Sequence, residues 1–271
     1  METQTKIKIE NLTAEYADKD GTFTALDGVS LDIKEGEFVS VIGSSGSGKS
    51  TLLGILQGLL KPTGGGAYID GKVITGPGID RATVFQHYSL FPWMTIRRNI
   101  AFGLKQKRKN LTRKERYEVA DDYLKKVGLQ GFEQKYLYQL SGGMQQRAAI
   151  AGALAMETDI LLMDEPFGAL DPKNRSVMQD LLLNLWDNGE KRKTVVFVTH
   201  DIDEAIFLSD KIYILSGSPG KVAAEFKVNF PRPRIHSSLR ETNLYLSLRS
   251  KLMAVFYEDN EGLLSETEYT I

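Results

Sequence analysis

Cysteine is absent from the 271-residue chain, which removes disulfides, zinc–thiolate sites and thiol nucleophiles from consideration. Net charge is nearly absent too. The 34 Lys and Arg stand against 35 Asp and Glu, giving −1, so no polyanion-binding surface is expected and nucleic acid is not an expected partner. One basic run, "KQKRKNLTRKER" (105–116), carries no interleaved aromatics and reads as a solvated loop and helix face. No uncharged apolar run approaches the roughly 18 residues needed to span a bilayer. The opening "METQTKIKIENLTAEY" lacks the apolar centre of a signal peptide. Internal repeats, low-complexity stretches and long linkers are also missing. With 42% hydrophobic and 25% charged residues, the expectation is a soluble globular protein in a reducing compartment, with at most a peripheral role at a membrane.

What is present alternates in type. Short strands are expected at "KIKIENLTAEY" (6–16), "TALDGVSLDI" (24–33) and the apolar "FVSVIG" (38–43), parted by the turn signals "DKDG" and "KEGE". A helix from Lys49 to about Leu60 should follow, stopped by "KPTGGG", then strands near "AYID" (67–70) and "ATVFQ" (82–86). From Thr95 to Leu154 the pattern is mostly helical, with "TRKERYEVADDYLKKVGL" amphipathic. The runs "ILLM" (160–163) and "TVVFVT" (194–199) read as buried parallel strands around a helix, "PKNRSVMQDLLLNLW", that has Pro172 in its first turn. "KIYILS" (211–216) and "GKVAAEF" (220–226) close the strand set, and "SSLRETNLYLSLRSKLMAVFYE" (237–258) reads as one further helix. Strands alternating with helices imply an α/β fold with a mainly parallel sheet, the helix-only middle being an inserted lobe.

"GSSGSGKS" (43–50) fits G-x-x-x-x-G-K-[ST] and stands between an apolar strand and a helix, the context that motif requires. Gly43, Gly46 and Gly48 let the backbone curl so that successive amides, with those of Ser44, Ser45 and Ser47, face phosphate oxygens. The new helix adds the positive end of its dipole. Lys49 is expected to bridge the β- and γ-phosphates and Ser50 to supply a hydroxyl to Mg²⁺, with Thr51 next in the same turn. Nucleotide binding with Mg²⁺ is therefore expected.

"ILLMDEP" places Asp164 and Glu165 where a buried strand meets the surface, the end at which such sheets bind ligands. Asp164 is the expected Mg²⁺ partner and Glu165 the residue that orients and deprotonates the attacking water. His200, ending "FVTH", is placed to reach the γ-phosphate or hold the water, and Gln86 similarly ends an apolar strand. His87 and His236 have no such setting and are read as structural.

A second anion-gripping arrangement, "LSGGMQQR" (140–147), puts Ser141, Gly142 and Gly143 just ahead of a helical run. With it the chain resembles the ATP-binding cassette (ABC) family of ATPases, from Tyr16 to about Pro233, and the order Tyr16, "GSSGSGKS", Gln86, "LSGGMQQR", "ILLMDEP", "ALD" (169–171), His200 agrees. The resemblance implies a phosphate-loop ATPase core with a mainly parallel sheet, an N-terminal antiparallel β-subdomain and an inserted α-helical signature subdomain. It implies an ATPase domain over 1–235, with a helical subdomain at about 87–158, and a C-terminal helical extension over 236–271. It also explains the two loops. Two such domains pair head to tail, each ATP lying between the phosphate loop of one and the signature of the other, so Ser141, Gly142 and Gly143 would serve the partner's nucleotide. By the same resemblance Tyr16 stacks on adenine, with Phe23 an alternative platform. Gln86 contacts Mg²⁺ or water, Asp171 reaches across the dimer, and His200 supports hydrolysis.

"VFQHYSLFPWMTIRRNIAFGL", "FVTHDIDEAIFLSDKIYIL" and "FPRPR" resemble importer ATPases of the nitrate, taurine, alkanesulfonate and pyrimidine-precursor group. The partners implied are a second copy, transmembrane permease subunits and, indirectly, a solute-binding protein, at the cytoplasmic face of the inner membrane. Residues Tyr88 to Thr95, with Leu90, Phe91, Pro92 and Trp93, suit a groove for a permease helix, ordinary lobe core being the alternative. After "PTGGG" the chain lacks the small extended loop residues usual in relatives, which touches no catalytic position. The tail is expected to be a helical cap without ligand sensing. A soluble ABC ATPase of translation or DNA repair would carry two cassettes or a long coiled-coil insertion, and a phosphate-loop kinase would have no use for "LSGGMQQR".

Overall fold

The computed structural model describes residues 4–18, 21–86, 90–168, 170–187 and 192–264. The chain divides into two compact units: residues 1–77 with 196–271, and residues 78–195.

The first unit opens with two long strands, β1 (Thr5–Asp18) and β2 (Gly21–Lys34), paired antiparallel. Along β2, Val29, Leu31 and Ile33 are buried while Ser30 and Asp32 face out, the period of two that a half-buried strand imposes. Next comes β3 (Phe38–Gly43), buried at every position, as a strand covered on both faces must be. Helix α1 (Lys49–Gln57) starts directly from the glycine-rich loop. It ends three residues before the expected Leu60, because Gly58 takes a left-handed conformation (φ 77) and returns its amide to the carbonyl of Ile55. A Cβ at Gly58 would lie 2.1 Å from the carbonyl oxygen of Gly76, so only glycine fits that stop. Strands β4 (Gly64–Ile69) and β5 (Lys72–Val73) complete an antiparallel sheet of order β2-β1-β4-β5.

The second unit begins with β6 (Arg81–Val84) and then turns helical, with α2 (Ile96–Lys107), α3 (Arg113–Lys126) and α4 (Gly142–Ala155). Helix α3 owes its start to a capping box. The hydroxyl of Thr112 accepts the Glu115 amide, and the Glu115 carboxylate accepts the Thr112 amide; hydrogen bonding to the Thr112 side chain, and next to its amide, holds that carboxyl below the usual range. Ile100, Leu104, Leu124, Leu129, Ala148 and Ala151 form the core of this lobe. Strand β7 (Ile160–Asp164) pairs in parallel with β6, and α5 (Pro172–Asp187) follows with Pro172 at its first position, as expected.

The chain returns to the first unit through β8 (Thr194–Thr199), a hydrogen-bonded neighbour of β3. Then come α6 (Ile202–Leu208), β9 (Lys211–Ser216), which pairs in parallel with β3, and β10 (Lys221–Lys227), antiparallel to β9. Phe38 and Phe197 pack with ring centres 5.9 Å apart in this core. The predicted single tail helix is two: α7 (His236–Arg240) and α8 (Asn243–Leu264). Thr242 makes the break. Its hydroxyl donates to the Leu239 carbonyl and accepts the Tyr245 amide, closing one helix and opening the next. Among the described residues no helix is long and apolar enough to cross a membrane.

Candidate functional site

The phosphate loop is built from β3 and α1. Gly48, at φ 83, is the N-terminal cap of α1, and a Cβ there would lie 2.4 Å from the Leu26 side chain. First-turn amides of a helix have no intrahelical acceptor, and Gly48 brings no side chain to cap them. Lys49 is buried, and its ammonium donates to the carbonyls of Gly43 and Ser44, both at 2.8 Å, which holds the positive charge inside the curl of the loop. Ser44, half-buried, and Ser45 and Gly46, exposed, form the outer turn, while Ser47 is fully buried and donates its amide to Ser44. Ser50 is exposed.

Thr51 was expected only as a loop member, and it does more. Its hydroxyl accepts a 3.2 Å hydrogen bond from Tyr16, which brings an exposed ring on β1 to the first turn of α1. Tyr16 and Phe23 are direct cross-strand partners, so both rings stand on one face of the hairpin. In the same unit the chain leaves β8 at the exposed His200. Beneath it, Thr199 donates to Glu204 at 2.5 Å, and Asp201 caps α6 by accepting the Glu204 amide. Glu204 has no motif of its own; the spacing Thr199–Asp201–Glu204 around His200 is its signal in the sequence.

The second unit holds the remaining residues. Asp164 ends β7 and Glu165 follows it, both half-buried. Glu165 sits at φ 41, a left-handed conformation disfavoured for a residue with a Cβ, held by a turn in which Gly168 donates to its carbonyl. Gln86, exposed just beyond β6, donates to the Glu165 carboxylate at 3.4 Å. Parallel pairing of β6 with β7 is what brings them together.

Ser141 is the N-terminal cap of α4, its hydroxyl accepting the Met144 amide, and Ser141 and Gly142 are exposed with Gly143 half-buried. Gln145 anchors the approach to this helix by donating to the carbonyls of Leu137 and Leu140. Asp171 caps α5. It accepts the Asn174 amide, which lowers its carboxyl below the usual value, and the Asn174 side chain at 2.6 Å.

Of the expected docking stretch, Tyr88 and Ser89 lie outside the described residues, as do His87 and Ala169 of "ALD". The remainder divides. Leu90 packs against the lobe core, whereas Trp93 is 68% exposed and meets Phe91 at a tilt, ring centres 5.2 Å apart, Phe91 meeting Phe102 edge-on at 5.1 Å. A cavity of about 150 Å³ lined by Phe85, Phe91, Phe102 and Met156 adjoins them. The buried Asn99 holds the segment in shape, accepting the Phe91 amide and donating to the carbonyls of Phe91, Met94 and Thr95. His236 stacks on Phe207, a structural role as expected.

The ABC transporter family profile matches residues 26–168. An ABC transporter ATP-binding protein of Methanocaldococcus jannaschii is 45% identical over 94% of this chain and 92% of its own. A nitrate import ATP-binding protein of Synechocystis is 46% identical over 83% of each. A bicarbonate transport ATP-binding protein of Synechococcus elongatus is 44% identical over 91% of this chain and 37% of its own. Among solved structures, a dimeric ATP-binding cassette in a post-hydrolysis state with ADP and phosphate matches at TM-score 0.74 and 40% identity, covering 83% of this chain and all of the other.

Proposed function

Because the chain belongs to the ABC transporter family of ATP-hydrolysing cassettes, we propose that it is the energy-coupling subunit of an importer for a small solute of the nitrate, sulfonate, taurine or pyrimidine-like class. It works as a head-to-tail pair of cassettes, held peripherally on permease subunits at the cytoplasmic face of the membrane, with a solute-binding protein delivering cargo. Relatives named for nitrate import and bicarbonate transport, and a solved relative that is a dimer, support this reading.

The observation that carries it is a second anion cradle: besides the phosphate loop, Ser141 caps a helix start at which Gly142 is exposed and Gly143 half-buried. One chain has one ATP to hold, so the second cradle serves the partner's γ-phosphate, and dimerisation becomes nucleotide-dependent. Tyr16 stacks on the base, the loop amides and Lys49 hold the phosphates, and Glu165 orients and deprotonates the attacking water while Gln86 positions it. His200 contacts the γ-phosphate, and Asp171 meets the partner cassette.

Mg²⁺ fits the donors present. Ser50, Gln86 and Asp164 are the residues that would hold it, each carrying a hard oxygen donor. Few protein ligands, with phosphates and water making up the rest, is the arrangement Mg²⁺ prefers, and there it would neutralise phosphate charge. The apolar surface around Trp93, Phe91 and Phe102 supports docking of a short permease helix.

Purification of the tagged chain from detergent-solubilised native membranes tests the proposal. A multi-span permease is expected in the eluate, identified by mass spectrometry. Recovery with ribosomes or nucleic acid, or alone, would remove the transport reading and leave the ATPase.

A further inference from the structure

The motif "FPRPR" and the tail helices have no part in the nucleotide chemistry above, yet their polar contacts converge on one short element. Helix α6 has seven residues, too few to persist without tertiary partners, and it begins two positions after His200. Six of the seven are buried; Asp203 alone is only half-buried. The tail takes hold of that residue. Tyr245 donates to the Asp203 carboxylate at 2.7 Å, and Arg249 donates to the same oxygen at 2.6 Å.

The other end of α6 is held as firmly. Arg234 is buried and donates to the carbonyls of Ile206, Phe207 and Ser209, where a helix presents the negative end of its dipole. Burial brings that guanidinium down to about 10, so it remains charged at neutral pH. Arg232 donates to the Leu208 carbonyl and to Asp210, each at 2.7 Å. Between the two ends, the His236 ring lies flat on Phe207 with centres 3.5 Å apart.

We propose that Asp203 is a positioning residue for ATP hydrolysis: through Tyr245 and Arg249 the C-terminal helix fixes the first turn of α6, and with it the aim of His200. The proposal rests on the reading that His200 acts at the nucleotide. The two anchors differ in kind. Arg234 closes a buried helix end and serves the fold, whereas the Asp203–Arg249 latch is partly exposed, close in sequence to the exposed His200, where its loss reorients a loop and leaves the core intact.

The test uses the full-length chain with Mg-ATP. Arg249→Met and Tyr245→Phe should each lower kcat, Arg249→Met by about fivefold, with KM for ATP changed by less than about twofold, the scale of coupling between groups in direct contact. Arg249→Lys should restore most of kcat. Because the chain has three histidines, the imidazole resonance of His200 can be assigned by its loss in His200→Ala. Both latch substitutions should displace it while leaving the unfolding transition cooperative. A kcat unchanged in Arg249→Met and Tyr245→Phe, or a His200 resonance that does not move, would overturn the proposal. Failure of the underlying reading looks different: His200→Ala would itself hydrolyse ATP at the unaltered rate.

Discussion

Gln86 and Glu165, 79 positions apart in sequence, share a 3.4 Å hydrogen bond just beyond the ends of the paired strands β6 and β7. The glutamine amide therefore holds the carboxylate that is proposed to activate water. Glu165→Gln keeps the shape and removes the base. ATP binding should survive while hydrolysis falls by about a hundredfold or more, the usual worth of a general base. Nucleotide titration alongside phosphate release checks both halves.

Lys49 offers a second test. Its ammonium already lies against the carbonyls of Gly43 and Ser44, so it needs little rearrangement to meet phosphate oxygens. Charged hydrogen bonds are worth about 1.5–3 kcal/mol, so Lys49→Ala should weaken ATP binding about ten- to a hundredfold. Equilibrium binding with a fluorescent ATP analogue measures it, and unchanged affinity would contradict the phosphate-loop assignment.

The aromatic pair on the first hairpin separates two roles of one side chain. Tyr16→Ala removes the ring and should raise the dissociation constant for ATP about tenfold, within the range of base–aromatic stacking. Tyr16→Phe keeps the ring and removes only the bond to Thr51, so it should bind nearly as well as the parent. Phe23→Ala, at the cross-strand partner, should have a smaller effect than Tyr16→Ala. A larger effect would make Phe23 the main platform.

Asn99 is a matter of stability. Replacing it with Ala strips the Phe91 amide and several carbonyls of a buried partner, a loss of about 1–3 kcal/mol. Denaturant unfolding reads that directly. Loss of coupling to a permease at unaltered ATPase activity would show that the segment proposed to dock a permease had lost its shape.

Much of this was legible beforehand because the motifs carry their own physics. "GSSGSGKS" demands a strand before and a helix after, and β3 and α1 supply them. The apolar runs 160–163 and 195–198, the latter flanked by threonines, are buried strands, as continuous apolar runs bounded by turns imply. What stayed hidden were side chains that bond to backbone. Asn99 inside α2, Gln145 inside α4 and Thr242 between the tail helices look like ordinary polar residues until their carbonyl and amide partners are in place. Thr242 in particular divides a segment that the sequence reads as one helix. The left-handed backbone of Glu165 has no sequence signal either, since glutamate rarely adopts it.

The two-cradle arrangement gives the most discriminating prediction. Glu165→Gln, unable to turn over, should form a stable dimer when sized by gel filtration in Mg-ATP and remain monomeric without nucleotide. Adding Ser141→Arg places a long cation where the partner's γ-phosphate is proposed to meet the start of α4. Arginine also removes the cap on Met144, so the helix start itself must be monitored by circular dichroism. Ser141→Ala serves as that control, since it loses the same cap without adding bulk. The dimer should disappear with arginine and persist, weakened, with alanine. A dimer that survives Ser141→Arg would mean that the signature helix does not close on the partner's nucleotide, and the second cradle would need another anion.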